Sequence, residues 1–343
     1  VHLMKVKTLA IDLAKTVFQL HGADARDKPV FQRRVTRAKL LSLVLRLAPT
    51  VIVMEACGGA HYWARLFRSH NIEVRLIPPQ HVKPYVQGNK NDRRDAEAIF
   101  ETSLRPRTPY VAIKSVDHQT LQALHRLREQ QQKSRTALIN QLHGLLSEYG
   151  YIFPTAHQAF RQAVRELLDN PATDIPAELR AALYPQLELW QLYDAHIKCY
   201  EGNIKQWVQQ HGDARRLTQL PGVAHIIASA LVMYMGNPGN YRNARHFSTS
   251  LGLVPKHRGS GHKTVILGIS KRGDSYVRKQ LIHGARAFLR TAANKTDGLS
   301  CWACALLARR GWNRTVVAVA NKLARIAWAL LATGKDYQAP AAA

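Results

Sequence analysis

Val51-Ile52-Val53-Met54-Glu55 is an unbroken apolar run that ends on a carboxylate, and Gly58-Gly59 interrupts the chain just beyond it. A strand that is apolar on both faces must be covered on both faces, which points to a sheet held between helices. The neighbouring segments keep that rhythm. Val6–Asp12 is a β-rich run that also closes on a carboxylate, and a second candidate strand lies at Phe31–Val35. Ala38–Leu47 and Tyr62–Ser69 read as helices, and Glu73–Ile77 is a strand stopped by Pro78-Pro79. A basic loop follows, with a helix expected from near Asp92 through Ala98. This alternation over residues 1–114 predicts an α/β domain with a mixed or largely parallel sheet.

The 343 residues are roughly twice one typical domain, and the remainder divides in two. Residues 115–217 read as two long helices. The first carries Leu121, Leu124, Leu138, Leu142, Leu145 and Tyr149, interrupted by the polar stretch Arg126–Arg135. The second carries Trp190, Tyr193, Ile197, Tyr200, Ile204 and Trp207 at heptad spacing. That seam suits either an intramolecular helical hairpin or a dimerising coiled coil. Pro154, Pro171, Pro176 and Pro185 punctuate the stretch between the seams. Residues 218–343 are expected to be mainly helical. Leu220-Pro221-Gly222-Val223 resembles the turn of a helix-hairpin-helix, where helix N-terminal amides meet a phosphate, and an ordinary helix start fits equally. Leu253–Ile269 reads as a Gly- and Lys-rich loop, and Tyr276–Arg290 and Thr315–Leu331 as helices.

Charge separates the same three parts. The chain carries 49 Lys and Arg against 23 Asp and Glu, a net +26. Residues 1–114 hold 20 basic and 9 acidic side chains, residues 115–217 hold 11 of each, and residues 218–343 hold 18 and 3. Two basic ends on a neutral middle suit a protein that grips a polyanion, nucleic acid above all. Four scattered cysteines argue against a disulfide framework and for a reducing cytoplasm. No unbroken apolar run approaches the ~18 residues of a membrane span, so no membrane role is expected. Cys301-Trp302-Ala303-Cys304 has zinc-like spacing but no second pair, and on a helix such spacing serves packing.

The carboxylates carry the chemistry. Asp12 and Glu55 close predicted strands, where α/β sheets place their ligand sites. Asp92 and Asp95 are three apart and share one helical face. Magnesium takes hard oxygen ligands, and carboxylates converging from different elements suit it. The bland alternative makes Asp92 and Asp95 helix N-terminal acids and Asp12 and Glu55 loop caps. Four acids converging in a basic domain would repel one another without cations, which favours the metal site.

Three N-terminal stretches extend the pattern: Ala10-Ile11-Asp12-Leu13-Ala14-Lys15, Met54-Glu55-Ala56-Cys57-Gly58-Gly59, and Gly88-Asn89-Lys90-Asn91-Asp92-Arg93-Arg94-Asp95-Ala96 preceded by Lys83-Pro84-Tyr85. With Leu220–Val223, Phe247–Gly252, Val254-Pro255, Gly259-Ser260-Gly261 and Ile269–Asp274, the chain resembles the DEDD transposases of the insertion-sequence 110 family. The Lys83–Ala96 stretch is similar to its 1111 subgroup. The resemblance implies an N-terminal RuvC-like domain of the RNase H fold, a coiled-coil connector and a C-terminal transposase domain. It implies Asp12, Glu55, Asp92 and Asp95 as ligands of Mg²⁺ (or Mn²⁺) and Ser260 as a nucleophile that links covalently to DNA. It implies a structured noncoding guide, the bridge RNA, that pairs with target and donor DNA. It further implies a homo-oligomer, a dimer of dimers, acting on nucleoid DNA in the bacterial cytoplasm.

From the residues alone, Ser260 lies between two glycines that let backbone approach a phosphate, with Lys256, His257, Arg258, His262 and Lys263 around it. A basic loop that merely touches nucleic acid fits as well. Ser270, before Lys271-Arg272, reads as a helix cap with phosphate contacts. Residues 218–343 contain only Asp274, Asp297 and Asp336 as acids, too few to build a carboxylate site of their own. Three functions remain: an RNA-guided DNA recombinase, a RuvC-like nuclease using metal-activated water, and a non-catalytic nucleic-acid scaffold.

Overall fold

The computed structural model describes residues 5–86, 92–260 and 263–341; the side chains of Asp92, Arg93, Ser260, Lys263 and Thr264 lie outside that description. The chain forms two compact units, Val1–Asp117 and His118–Ala343.

The first unit is built on a five-stranded sheet. In chain order it contains β1 (Thr8–Asp12), β2 (Val17–Ala23), β3 (Pro29–Thr36), α1 (Arg37–Leu47), β4 (Val51–Glu55), α2 (Ala60–Ser69), β5 (Glu73–Ile77), the short α3 (Pro79–Val82) and α4 (Asp92–Ser103). The spatial order is β3-β2-β1-β4-β5. β2 runs antiparallel to β1 and to β3, whereas β4 is parallel to both β1 and β5. This mixed sheet is consistent with a DEDD, RuvC-like domain. Leu9, Ile11, Ile52, Met54, Val74 and Leu76 face a core completed by Leu40 and Val44 of α1 and Trp63 and Phe67 of α2. Ala10, Val51, Val53 and Ile77 face the opposite core, completed by Ala98, Ile99 and Phe100 of α4. The run Val51–Glu55 is thus covered on both faces, as its composition requires. Sequence reasoning left Val17–Ala23 outside the sheet. Its pattern is interrupted by Gln19 and His21, yet it pairs along its length with β1 and β3.

The second unit begins with α5 (Val116–Ser147), whose first residues straddle the boundary, followed by α6 (His157–Asp169) and α7 (Ala177–Gln210). Then come α8 (Gly212–Leu217), α9 (His225–Met235), α10 (Ala244–Ser250), β6 (Pro255–Ser260), β7 (Lys263–Ile269), α11 (Ser275–Thr291), α12 (Gly298–Arg310) and α13 (Trp312–Thr333). The polar stretch Arg126–Arg135 does not break α5. Arg128 reaches Glu201 at 2.6 Å and Arg135 reaches Asp194 at 2.7 Å, a pairing that rises on one helix as it falls on the other, so α5 and α7 run antiparallel. Leu138, Ile139, Leu142 and Leu146 pack with Trp190, Leu187 and the Phe160 of α6. Leu145 and Tyr149, expected on the seam, are exposed, and Leu146 takes the buried place. Trp190, Ile197, Ile204 and Trp207 are buried within the single chain. The hairpin alternative therefore accounts for that seam. Pro185 lies inside α7 instead of ending it, flanked by buried Leu183 and Leu187.

The expected loop Leu253–Ile269 contains a β-hairpin. β6 and β7 pair antiparallel, with His257 opposite Ile266, Arg258 opposite Val265, and Ser260 opposite Lys263. Basic residues of β6 facing the β-branched run of β7 form a ladder that glycine content obscured. α11 is capped by Asp274, whose carboxylate accepts from Val277 N at 2.9 Å, so Ser270 is not the cap. Ser270 instead stands in the turn after β7, its Oγ 3.5 Å from Arg272 N. α13 (Trp312–Thr333) is by length and composition apolar enough to cross a membrane, although Arg314, Lys322 and Arg325 interrupt its apolar run. Its Val316, Val319, Ala320, Leu323, Ala324 and Ala327 are buried in the core with α9 and α11, the place of a central core helix.

Candidate active site

Strand register brings the first two carboxylates together. β1 and β4 are parallel neighbours, and Ile11 pairs with Met54. Asp12 and Glu55 are the next residues, side by side at the C-terminal edge of the sheet. Alternation puts Asp12 on the face of Ala10 and Glu55 on the face of Val53, the side covered by α4. On α4, Ile99 is 1% exposed and fixes which stripe meets the sheet. Asp95 lies four residues before it on that stripe, and Asp92 is the first residue of the helix. Asp95 and Glu55 are close enough that burial and the Asp95 charge both push the Glu55 carboxyl above its ordinary value. Burial, Glu55 and Asp12 together push the Cys57 thiol up to about 11. In the sequence Cys57 is only part of the Met54–Gly59 motif; its place beside the carboxylates is set by the bend after β4.

Three half-buried carboxylates from three elements thus share one electrostatic site. Carboxylate oxygens around a raised carboxyl are the donor set of a hard divalent cation, which would remove the repulsion. Among the described residues no three of His, Cys, Asp and Glu are gathered closely enough to hold one ion. The fourth predicted ligand, Asp92, starts α4, but its side chain is outside the description.

The predicted serine belongs to the second unit. Ser260 is the last residue of β6, opposite Lys263, at the end of the hairpin remote from Pro255 and Ile269. Lys256, His257 and Arg258 are exposed along the same strand. Arg258 lies two residues before Ser260 in the chain. The hairpin is seated firmly at its base. Ser270 N donates to Val254 O at 2.8 Å and Lys271 N to Gly252 O at 3.1 Å. Gly273, at φ 105°, lies against the Ser250 carbonyl, where a Cβ has no room. Lys271 and Arg272 project exposed from this turn. The Leu220–Val223 turn links α8 to α9, and Gly222 packs against Gly284 of α11 closely enough to exclude any Cβ. That glycine is therefore explained by helix packing.

Residues 9–151 match a family model for DEDD transposases of the IS110 group, and residues 214–297 match the model for the transposase IS116/IS110/IS902 family. The chain is 43% identical over 333 residues to the transposase for insertion sequence element IS1111A of Coxiella burnetii, spanning 97% of this chain and 92% of that protein. It is 43% identical over 338 residues to a family 20 transposase of Pseudomonas aeruginosa, spanning 98% and 99%. It is 33% identical over 332 residues to the transposase for insertion sequence element IS1328 of Yersinia enterocolitica, spanning 97% and 98%.

Proposed function

The chain belongs to the IS110 family of transposases, enzymes that cut and join DNA, and from that premise we propose that it is an RNA-guided, Mg²⁺-dependent recombinase that moves its insertion sequence through serine–DNA intermediates. The observation that carries the metal-dependent reading is the convergence of Asp12, Glu55 and Asp95 at one sheet edge, with the Glu55 carboxyl raised by burial and then by Asp95. Asp12, Glu55, Asp92 and Asp95 would hold the ion. When bound, a divalent cation supplies Lewis-acid stabilisation of phosphoryl oxygens.

The remaining chemistry belongs to side chains. Ser260 Oγ forms a bond to phosphorus while the bond from phosphorus to a deoxyribose oxygen breaks. The serine proton ends on the released hydroxyl, so the phosphodiester is exchanged and its energy is retained. Attack by another strand's hydroxyl reverses the step and rejoins DNA. Lys256 and Arg258 neutralise the phosphate during this exchange, and Lys263, Lys271 and Arg272 hold the flanking backbone. A guide RNA uses the same basic surfaces, and the homo-oligomer, a dimer of dimers, would bring several such sites onto two DNAs.

A second reading rests on one observation: all four acids belong to elements of the first unit, so a water-using nuclease needs nothing from Ser260. Denaturing gels separate the two. Wild-type protein with end-labelled DNA and Mg²⁺ is expected to give a protease-sensitive, slow-migrating strand, absent with Ser260→Ala. Cleavage without that species supports the nuclease. RNA sequenced from the purified protein, and particle mass by light scattering, test the guide and the oligomer.

A further inference from the structure

At the root of the hairpin, α12 and α13 enclose a cleft of about 560 Å³ that none of the roles above uses. Its floor is apolar, formed by Leu253, Ile269 and Val317, and its size suits a small organic group. Its rim is cationic: Arg314, Lys322 and Arg325 enter from α13, and no lining residue is acidic. Trp302 of α12 forms one wall, with the Lys322 ammonium 4.1 Å from its ring centroid. Asn321 donates to the Leu253 carbonyl at 3.3 Å and ties α13 to the hairpin root. Burial and the nearby Arg325 both disfavour the charged form of Lys322, a strain that an anion would relieve.

An apolar floor with an aromatic wall and a rim of cations complements a nucleotide whose base has left its stack. Duplex DNA offers only phosphates and base edges, whereas an unpaired base offers a π-face. We propose that this cleft holds one unpaired nucleotide of a DNA strand, its base against Trp302 and its flanking phosphates on Arg314 and Arg325. The assignment to DNA rests on the transposase reading. By strand rise the cleft lies roughly 17 Å from Ser260, about five stacked nucleotides along the same strand.

The test uses the full chain carrying Ser260→Ala, so that it reads binding whether or not serine attack is correct. A short single-stranded oligothymidylate containing 5-iodouracil is irradiated with the protein, and the cross-linked peptide is identified by mass spectrometry. The expected adduct is on Trp302, absent when the same oligonucleotide is first annealed to its complement. Arg314→Ala with Arg325→Ala, both at exposed positions, is expected to weaken single-strand affinity about fivefold or more, and Trp302→Leu to abolish the adduct. An adduct confined to other residues, equal labelling of duplex, labelling by an RNA oligonucleotide but not by DNA, or unchanged affinity in the double-arginine variant would each overturn the proposal. Loss of folding in Trp302→Leu leaves the arginine variants to decide.

Discussion

Asp12 and Glu55 stand adjacent because two parallel strands end in register, and Asp95 joins them because Ile99 anchors its helix face. In the metal-free protein this proximity is a cost. Glu55 is held above its ordinary value by burial and by Asp95, so the unfolded chain releases that proton at a lower pH than the folded one. Stability therefore falls as pH rises through that window. Glu55→Gln is expected to raise the melting temperature without metal and, on the proposed metal-dependent reading, to remove the gain expected from added Mg²⁺; thermal melts at neutral pH with and without Mg²⁺ measure both. Asp12→Asn is expected to lower strand cleavage on the order of 100-fold or more, the scale of losing a preorganised charge, with the fold retained by circular dichroism. Full cleavage by Asp12→Asn would remove the carboxylates from the mechanism. These acids were legible because a carboxylate closing an apolar strand has a defined place in any α/β sheet. Cys57 was not, since its approach to Glu55 depends on a bend that no periodicity encodes. The cleft residues Trp302, Arg314, Lys322 and Arg325 were equally hidden. Their only linear trace is a row of cations on one helix with no acid among them.

Between elements, one buried polar cluster joins three helices. His125 of α5 contacts the Tyr276 hydroxyl of α11 through Nδ1 at 2.8 Å and Ser229 Oγ of α9 through Nε2 at 3.0 Å. Burial, reinforced by Arg128 and His225, lowers His125 to about 4. The unfolded chain binds its proton near pH 6.5, so stability contributed by the neutral ring is present above that value and is lost as pH falls toward 4. The loss is about 3 kcal/mol in all. Melting temperature is expected to drop between pH 7 and 4.5, and His125→Gln to flatten the drop while lowering the neutral-pH value; His225 and His283, also lowered by burial, retain a smaller slope. The helical pair makes its own prediction. Leu142 is fully buried between α5, α6 and α7, and Leu142→Ala is expected to cost about 2–5 kcal/mol in denaturant unfolding. Ile204→Asp, on the seam that suits a hairpin or a dimer, should unfold this region and not merely halve the particle mass, because Ile204 is already dry within one chain. Such elements show where sequence reasoning succeeds. Val51–Glu55 and Glu73–Ile77 were read with their observed bounds, because unbroken apolar runs leave no choice of face. β2 and the β6–β7 hairpin were lost because polar and glycine residues interrupt their period, and cross-strand pairing, which no local window contains, supplies their stability.

Over the whole molecule, charge and chemistry are divided differently between the two units. The unit Val1–Asp117 carries net +10 and all four predicted acids, while His118–Ala343 carries net +16 and the serine hairpin. Affinity for DNA should therefore come mainly from phosphates neutralised over both units, and chemistry from a few groups that add little to affinity. Counterion release makes this measurable: with 6–10 phosphate contacts, affinity is expected to fall about 10³- to 10⁵-fold between 50 and 200 mM salt. Fluorescence anisotropy across that range gives the slope for each variant. Lys256→Ala and Arg258→Ala, exposed on β6, should each reduce the slope by about one unit, because each removes a phosphate contact. Ser260→Ala should leave both slope and affinity unchanged while abolishing the covalent adduct, since one hydroxyl releases no counterion. Asp12→Asn should leave the slope unchanged too, and its affinity without metal should be equal or slightly higher as one repulsive charge is withdrawn from the polyanion. A flat salt profile in the wild type would mean that the +26 serves another purpose, and a slope altered by Ser260→Ala would place that serine among the groups that hold DNA instead of the group that cuts it.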